Sequence, residues 1–167
     1  MAAAPAFASA PALLKGAGDF RHISLVNQRT GEWLNTVYWV EGEYIPDALA
    51  AIDHIMRDWR EDRIHRIDPS AIDILSATHH LLDCGEPFEV VSGYRTAKTN
   101  ALLRRRSRKV AKNSYHIKGM AVDVTMKTRS VRQISGAGQS LSAGGVGKYS
   151  RSHFVHLDSG PVRKWGR

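Results

Sequence analysis

Only one cysteine, Cys84, stands among the 167 residues. Its isolation excludes an intramolecular disulfide and any thiolate-rich zinc finger, so a metal here would have to be held by histidine and carboxylate. Long apolar runs are also missing, and none approaches the ~18 to 20 residues that a membrane-spanning helix needs. Acidic residues are scarce: 16 Asp+Glu face 24 Lys+Arg, a formal net charge of +8. That balance favours acidic partners such as nucleic acid, anionic lipid or an anionic polymer, without choosing among them. There is no internal repeat and no linker long enough to divide the chain. What is present, 43% hydrophobic and 24% charged residues, is ordinary for one globular domain and excludes a disordered tail or a fibre. Eight histidines leave metal binding open.

The amino end, residues 1–18, is rich in Ala and Pro and holds two A-x-A triplets, Ala6-Phe7-Ala8 and Ala8-Ser9-Ala10. This is the small-residue pattern that a signal peptidase cleaves, yet no basic region or apolar core precedes it. The segment reads as an export-signal remnant or as a flexible linker. The folded domain is expected over residues 19–167.

Phe20–Asn27 and Glu32–Val40 are rich in β-branched and aromatic residues, and Gln28-Arg29-Thr30-Gly31 supplies turn chemistry between them, so the pair predicts an antiparallel hairpin. Apolar residues at Ile45, Leu49, Ile52, Ile55 and Trp59 form one helical face, with Pro46 suited to the first turn. A second helix is expected from Asp68 as N-cap and Pro69 to about Cys84, stopping at Gly85, with Ile72, Leu75, His79 and Leu82 inward. A strand is expected at Phe88–Val91, then a helix capped by Thr96 running through Leu103 into Arg104-Arg105-Arg106. Ala121–Thr125 fits a strand, and Ser130–Leu141 a helix weakened by Gly136 and Gly138. Gly144-Gly145-Val146-Gly147 reads as a flexible turn at a cleft edge before a last strand, Phe154–Asp158. The expected architecture is α+β: a single domain whose small antiparallel sheet carries the site, with helices packed on one side and an N-terminal hairpin in front.

Two late segments have the composition of a metal site. His116, Asp123 and His156 offer two imidazoles and one carboxylate, a catalytic-zinc set that leaves a fourth position for water. On a strand, Asp123 faces one way while Val122 and Val124 face the other, so the carboxylate can enter a cleft above a packed layer. Gly119 lets the chain turn between His116 and that strand. His153, three positions before His156, would point to the opposite side of a straight strand. A bend or bulge is therefore expected in front of Phe154, leaving His156 to bind metal and His153 to act as general acid/base. Spacing alone also admits a blander reading, ordinary surface and hydrogen-bonded histidines.

The ordered motifs Ser92-Gly93-Tyr94-Arg95, Ser114-x-His116-x-x-Gly119-x-Ala121-x-Asp123, Gly144-Gly145-Val146-Gly147-x-Tyr149 and His153-Phe154-Val155-His156-x-Asp158 resemble those of the zinc D-Ala-D-Ala peptidases. This superfamily includes lysostaphin-type, D-Ala-D-Ala metallopeptidase and hedgehog-type folds, and the resemblance is strongest to its periplasmic murein-endopeptidase branch, once labelled only a domain of unknown function. It covers roughly Phe20 to Trp165. It implies one zinc ion on His116, Asp123 and His156, and an Arg95 that binds substrate and polarises the scissile carbonyl. His153 falls where related dipeptidases carry a catalytic glutamate, and a histidine with an unperturbed pKa of ~6.5 can also move the proton. The implied activity is hydrolysis of amide bonds in peptidoglycan stem peptides or cross-links, as a murein endopeptidase or a D,D-/L,D-carboxypeptidase, in the periplasm or otherwise outside the cytoplasm.

The flanking residues leave alternatives. Ser114 either hydrogen-bonds substrate or a ligand histidine, or is a turn serine. Tyr94 and Tyr149 either line the cleft and contact substrate or only pack. Asp158 either orients His153 or His156, or pairs with a nearby arginine such as Arg163. Gly144–Gly147 lacks the Lys-Ser/Thr of a phosphate loop, which argues against nucleotide binding. The basic run Arg104-Arg105-Arg106-Ser107-Arg108-Lys109 is either a solvated face or a contact for anionic murein or nucleic acid. Cys84, near a helix C-terminus whose dipole disfavours thiolate, is not expected to act as a nucleophile. Peptidoglycan is the expected partner and nucleic acid is not. The rival readings are a zinc-containing module that binds peptidoglycan or a protein without hydrolysis, and a basic nucleic-acid binder.

Overall fold

The computed structural model describes residues 19–107 and 110–166; the amino end, with its proposed signal remnant, lies outside them, as do Arg108 and Lys109 of the basic run. The chain opens with β1 (Phe20–Asn27), β2 (Trp33–Val40) and β3 (Glu43–Tyr44), followed by α1 (Pro46–Ile55) and α2 (Pro69–Leu81). Next come β4 (Phe88–Ser92), α3 (Ala97–Arg106) and β5 (Ala121–Thr125), and then α4 (Val131–Ser140), β6 (Gly145–Tyr149), β7 (Phe154–Asp158) and β8 (Arg163–Gly166). The strands form one sheet in the order β3-β2-β1-β4-β5-β7-β6-β8. The α+β class is as expected. The sheet is larger than expected and mixed, because β1 continues sideways into a parallel pairing with β4 and β6 pairs parallel with β8. The hairpin and the site strands therefore share one sheet.

Alternation divides that sheet into two faces. Val122 and Val124 of β5 pair in register with Leu157 and Val155 of β7, all four buried. Together with Ile23, Leu25, Phe88, Val90 and Val146 they build the core against Ile52, Ile72, Leu75 and Ile134 of the helices. Here α1 packs on β1 and β2, α2 on β1 and β7, and α4 on β6 and β7. Asp123 and His156, directly paired across β5 and β7, belong to the other face. The hydrophobic layer thus sets which side chains are left to the site.

Several helix signals act as the sequence suggests. Asp68 accepts from the Ser70 amide at the start of α2, and Thr96 accepts from the Thr99 amide at the start of α3. Despite its glycines α4 is a true helix, started by a capping box between Ser130 and Gln133. Gly138 matters for fit, since a Cβ there would come within 2.8 Å of the Leu157 side chain.

Two helices are shorter than their apolar stripes suggest. The helix expected through Trp59 ends at Ile55, because the buried Asp58 carboxylate accepts the amides of Arg60 and Thr96 and so holds a loop where a further turn would run. Trp59 leaves the core, is 37% exposed and lies beneath the Arg60 guanidinium. The second helix stops at Leu81, with Asp83 in a left-handed conformation, short of the expected Cys84. The Gly144–Gly147 turn is corrected outright. Gly145–Tyr149 is strand β6, and its glycines make room for β8: a Cβ at Gly147 would lie 2.6 Å from the Trp165 ring.

The hairpin is tied to α2 by a buried polar cluster that spacing could not reveal. Asp73 accepts from Arg21 at 2.9 Å, Tyr38 at 2.8 Å and Tyr44 at 2.7 Å. Both charged groups are buried, so removing one leaves the other unpaired in a poorly solvated site. Asp73→Ala should lower the unfolding free energy by about 3–5 kcal/mol, measured by urea denaturation. A loss under about 1 kcal/mol would show that the cluster is solvated.

Candidate active site

Four segments meet on the open face of the sheet. At the end of β4 the chain bends through Ser92-Gly93-Tyr94-Arg95, where the Tyr94 amide donates to the Met56 carbonyl. Only glycine fits at 93, because a Cβ would lie 2.3 Å from that carbonyl oxygen. The second segment is a short 3-10 helix, Tyr115–Lys118, capped by Ser114 and ended by Gly119 with a left-handed φ of 67°. The turn expected at Gly119 is therefore present. The Arg95 amide donates to the His116 carbonyl at 3.1 Å and joins the two segments. Strands β5 and β7 supply the other two.

His116, Asp123 and His156 come together as expected, all three buried. His116 Nε2 lies 3.2 Å from Asp123 Oδ1 and 3.1 Å from His156 Nδ1, and the last two atoms are 2.9 Å apart. The opposite ring nitrogens are already committed. His116 Nδ1–H donates to the Gly93 carbonyl at 2.7 Å, and His156 Nε2–H donates to the Asp158 carboxylate at 2.8 Å. Both partners only accept, so they set the tautomers and leave three lone-pair atoms facing one another. Buried acceptors at such range repel unless a cation or a proton lies among them. Four-coordinate zinc with bonds of ~2.0–2.1 Å places its ligand atoms about 3.3 Å apart, so the donor set and its spacing fit that ion.

The surroundings keep His116 neutral and Asp123 ionised, the forms that bind a cation. Burial holds His116 down, to a pKa of about 4, against the opposing pull of Asp123. For Asp123, burial would raise the pKa, but His116, His156 and Arg95 together hold it well below the usual carboxylate range. In His156, burial pulls the pKa down and is outweighed by the hydrogen bonds to Asp123 and Asp158, which raise it. Asp158 is fully buried, and against the effect of burial His156 and Arg163 keep it ionised. Both alternatives read for Asp158 hold at once: it orients His156 and takes two hydrogen bonds from Arg163, at 2.9 and 2.7 Å.

The trio opens into a cavity of about 490 Å³ whose walls include Arg95, Ser114, Tyr115, Tyr149, Arg163 and Trp165. Arg95 is buried and held in one plane, with Nε on Ser92 Oγ at 2.9 Å and one terminal nitrogen on Asp123 Oδ2 at 2.7 Å. Ser114 both caps its turn and lines the cavity. Tyr149 lines it too, stacked on Phe154 at 4.5 Å. Tyr94 is placed elsewhere: it stacks on His65 and packs against the core. His153 occupies the expected bend, in a left-handed conformation (φ 54°) directly before β7, where it is exposed and lies outside the cavity walls. Cys84 is half-buried and away from the site.

Trp165 is a cavity-wall residue that the sequence did not single out. Its indole N–H donates to the Tyr149 hydroxyl at 2.9 Å, and its ring lies 5.3 Å from that of His156. The signal was the pair of glycines in β6, readable only once β8 is known to lie beside them.

The sequence is similar to those of known proteins over most of its length. The sequence family described as peptidoglycan L,D-endopeptidase MepK matches residues 15–165. The chain is 43% identical over 145 residues to the peptidoglycan L,D-endopeptidase MepK of Escherichia coli K12, covering 87% of this chain and 80% of that protein. It is 40% identical over 146 residues to the probable peptidoglycan L,D-endopeptidase MepK of Haemophilus influenzae, covering 87% and 78%. A solved structure, the Serratia marcescens L-Ala D-Glu endopeptidase ChiX, is similar over 46% of this chain and 62% of that one, at 21% identity and a TM-score of 0.37. Nothing further rests on that partial likeness. With two buried imidazoles and a carboxylate converging beneath an arginine-lined cavity, and with the family matched over residues 15–165, the chain belongs to the peptidoglycan L,D-endopeptidase MepK family of peptidases.

Proposed function

We propose that this protein is a zinc-dependent peptidoglycan endopeptidase that hydrolyses L,D amide bonds in peptide cross-links outside the cytoplasm. The observation that carries the reading is the trio of buried lone pairs on His116, Asp123 and His156, whose other polar atoms are already used. Membership of a family described as L,D-endopeptidases supports the bond type. Peptidoglycan lies beyond the inner membrane, which supports a periplasmic place, and no helix among the described residues is long and apolar enough to cross a membrane.

His116, Asp123 and His156 would hold the zinc, and Asp158 and the Gly93 carbonyl keep the two rings aimed. Bound there, a zinc ion supplies Lewis-acid polarisation of a carbonyl and an acidified water. The chain's own residues do the rest. Arg95, fixed by Ser92 and Asp123, presents its remaining guanidinium N–H groups to the oxygen on which negative charge develops. Ser114 and Tyr149 flank the peptide in the cavity. His153 is assigned the proton transfer, taking a proton from the attacking water and returning it to the leaving amine. It stands exposed at the bend directly before β7, three residues ahead of His156.

Digestion of purified sacculi followed by muropeptide separation tests the activity. Wild-type protein with zinc should release new fragments that disappear with chelator and are absent with His116→Ala. Zinc binding without new fragments would instead identify a non-catalytic binding module, and tight salt-dependent DNA binding without zinc would identify a nucleic-acid binder.

Two variants separate the roles. Arg95→Ala should lower kcat/KM by about 10²–10³-fold, the scale for loss of one oxyanion donor. His153→Ala should lower kcat by about 10²–10⁴-fold while zinc content, measured by atomic emission, stays at wild-type level. Unchanged turnover in His153→Ala would remove it from the mechanism.

A further inference from the structure

The cavity above the trio does not end at its aromatic wall. Tyr149, Ser152 and Trp165 also line an adjoining cavity of about 600 Å³, together with Arg151 and the end of β8 at Gly166. The two cavities adjoin at that shared wall, as a first and a second arm. Trp165 marks the junction: it is seated over Gly147, held by its hydrogen bond to Tyr149, and beside His156. The first arm holds Arg95 and Ser114 on its walls. Among the described residues, no acidic side chain lines the second. Its exposed cation, Arg151, sits on the 3-10 turn between β6 and β7 and forms no ion pair with any carboxylate of the described residues. Lys148 also borders this arm but leaves β6 on the face opposite Tyr149, which leaves Arg151 as the exposed guanidinium on its wall.

We propose that the second arm binds the peptide strand lying across the scissile bond from Arg95, with Arg151 pairing with a free carboxylate of that strand and Trp165 packing against its aliphatic part. The inference rests on the endopeptidase reading and deepens it. An enzyme that trims a chain end needs one arm, whereas hydrolysis within a cross-link leaves peptide on both sides of the reacting carbonyl. Stem peptides carry free carboxylates, and a guanidinium meets a carboxylate with two parallel N–H donors. Indole and phenol rings supply contact area at small entropic cost, because they have few rotatable bonds and are already fixed to one another.

The test uses an L,D-cross-linked muropeptide dimer purified from sacculi and the same dimer with its carboxylates amidated. Affinity is measured by calorimetry on the full chain stripped of metal, and steady-state kinetics on the zinc-loaded chain. Arg151→Glu should weaken dimer binding about tenfold or more, with the kinetic change carried by KM and not kcat. Arg151→Lys should fall between it and wild type. Amidation should weaken binding to wild type by a similar factor and leave Arg151→Glu unaffected. Dimer binding by Arg151→Glu equal to wild type, the same amidation effect in both proteins, or no dimer binding by stripped wild type would each overturn the proposal. If zinc-loaded wild type fails to hydrolyse the dimer, the endopeptidase reading falls, while the binding comparison still decides the role of the arm. Arg151 is exposed, so the variants should fold, and thermal melts compared with wild type check it.

Discussion

Three lone pairs held at 2.9–3.2 Å inside a poorly solvated pocket are the constraint around which this molecule is arranged. Such an arrangement is repulsive by itself and persists because the fold prevents each group from turning elsewhere. The direct pairing of Asp123 with His156 across two antiparallel strands fixes two donors. The third, His116, is held by a backbone carbonyl from the bend after β4. Beneath them, paired valines and a leucine lock the register, since a slip by one residue would move both donors into the core. The apolar layer and the polar site are thus two faces of one pairing.

Asp158 extends that constraint outward. Fully buried, it accepts from His156 on one side and from Arg163 on the other. Arg163 begins β8, which carries Trp165 onto the glycines of β6 and beside His156. One carboxylate therefore aims a ring nitrogen and anchors the strand that builds the aromatic wall. Arg95 plays a comparable double part at the other side, fixing the second oxygen of Asp123 while lining the cavity. Around this centre the accessible walls are cationic and aromatic, which suits a chain of net charge +8 and an anionic peptide polymer.

Elements governed by local chemistry were legible in the sequence: the hairpin, the caps at Asp68 and Thr96, and the strands through Asp123 and His156. Even the bend at His153 followed from alternation, because His153 and His156 could not share a face of a straight strand. Where distant contacts outweighed local pattern, the reading missed. The stripe to Trp59 ended early because Asp58 was claimed by the amide of Thr96, far along the chain. The glycines of β6 looked like a turn because the rings and guanidinium that require their smallness arrive from β8. Tyr94 sits in a motif with Arg95 yet turns to stack on His65, a partner that the local motif does not contain.

By itself the sequence determined the inventory and part of the local geometry: which residues could donate to a cation, the turns at Gly119 and before Phe154, the apolar side of the strand through Asp123, and a basic composition with one cysteine. Tertiary structure decided which donors meet, which nitrogen of each ring faces the cation, and which aromatic side chains wall the cleft. The division has a physical cause. Periodicity and capping act over a few residues, whereas the tautomer of His156 depends on Asp158 together with Asp123, 33 residues away, and the seat of Trp165 on strand β6. Only folding brings these groups within hydrogen-bonding distance.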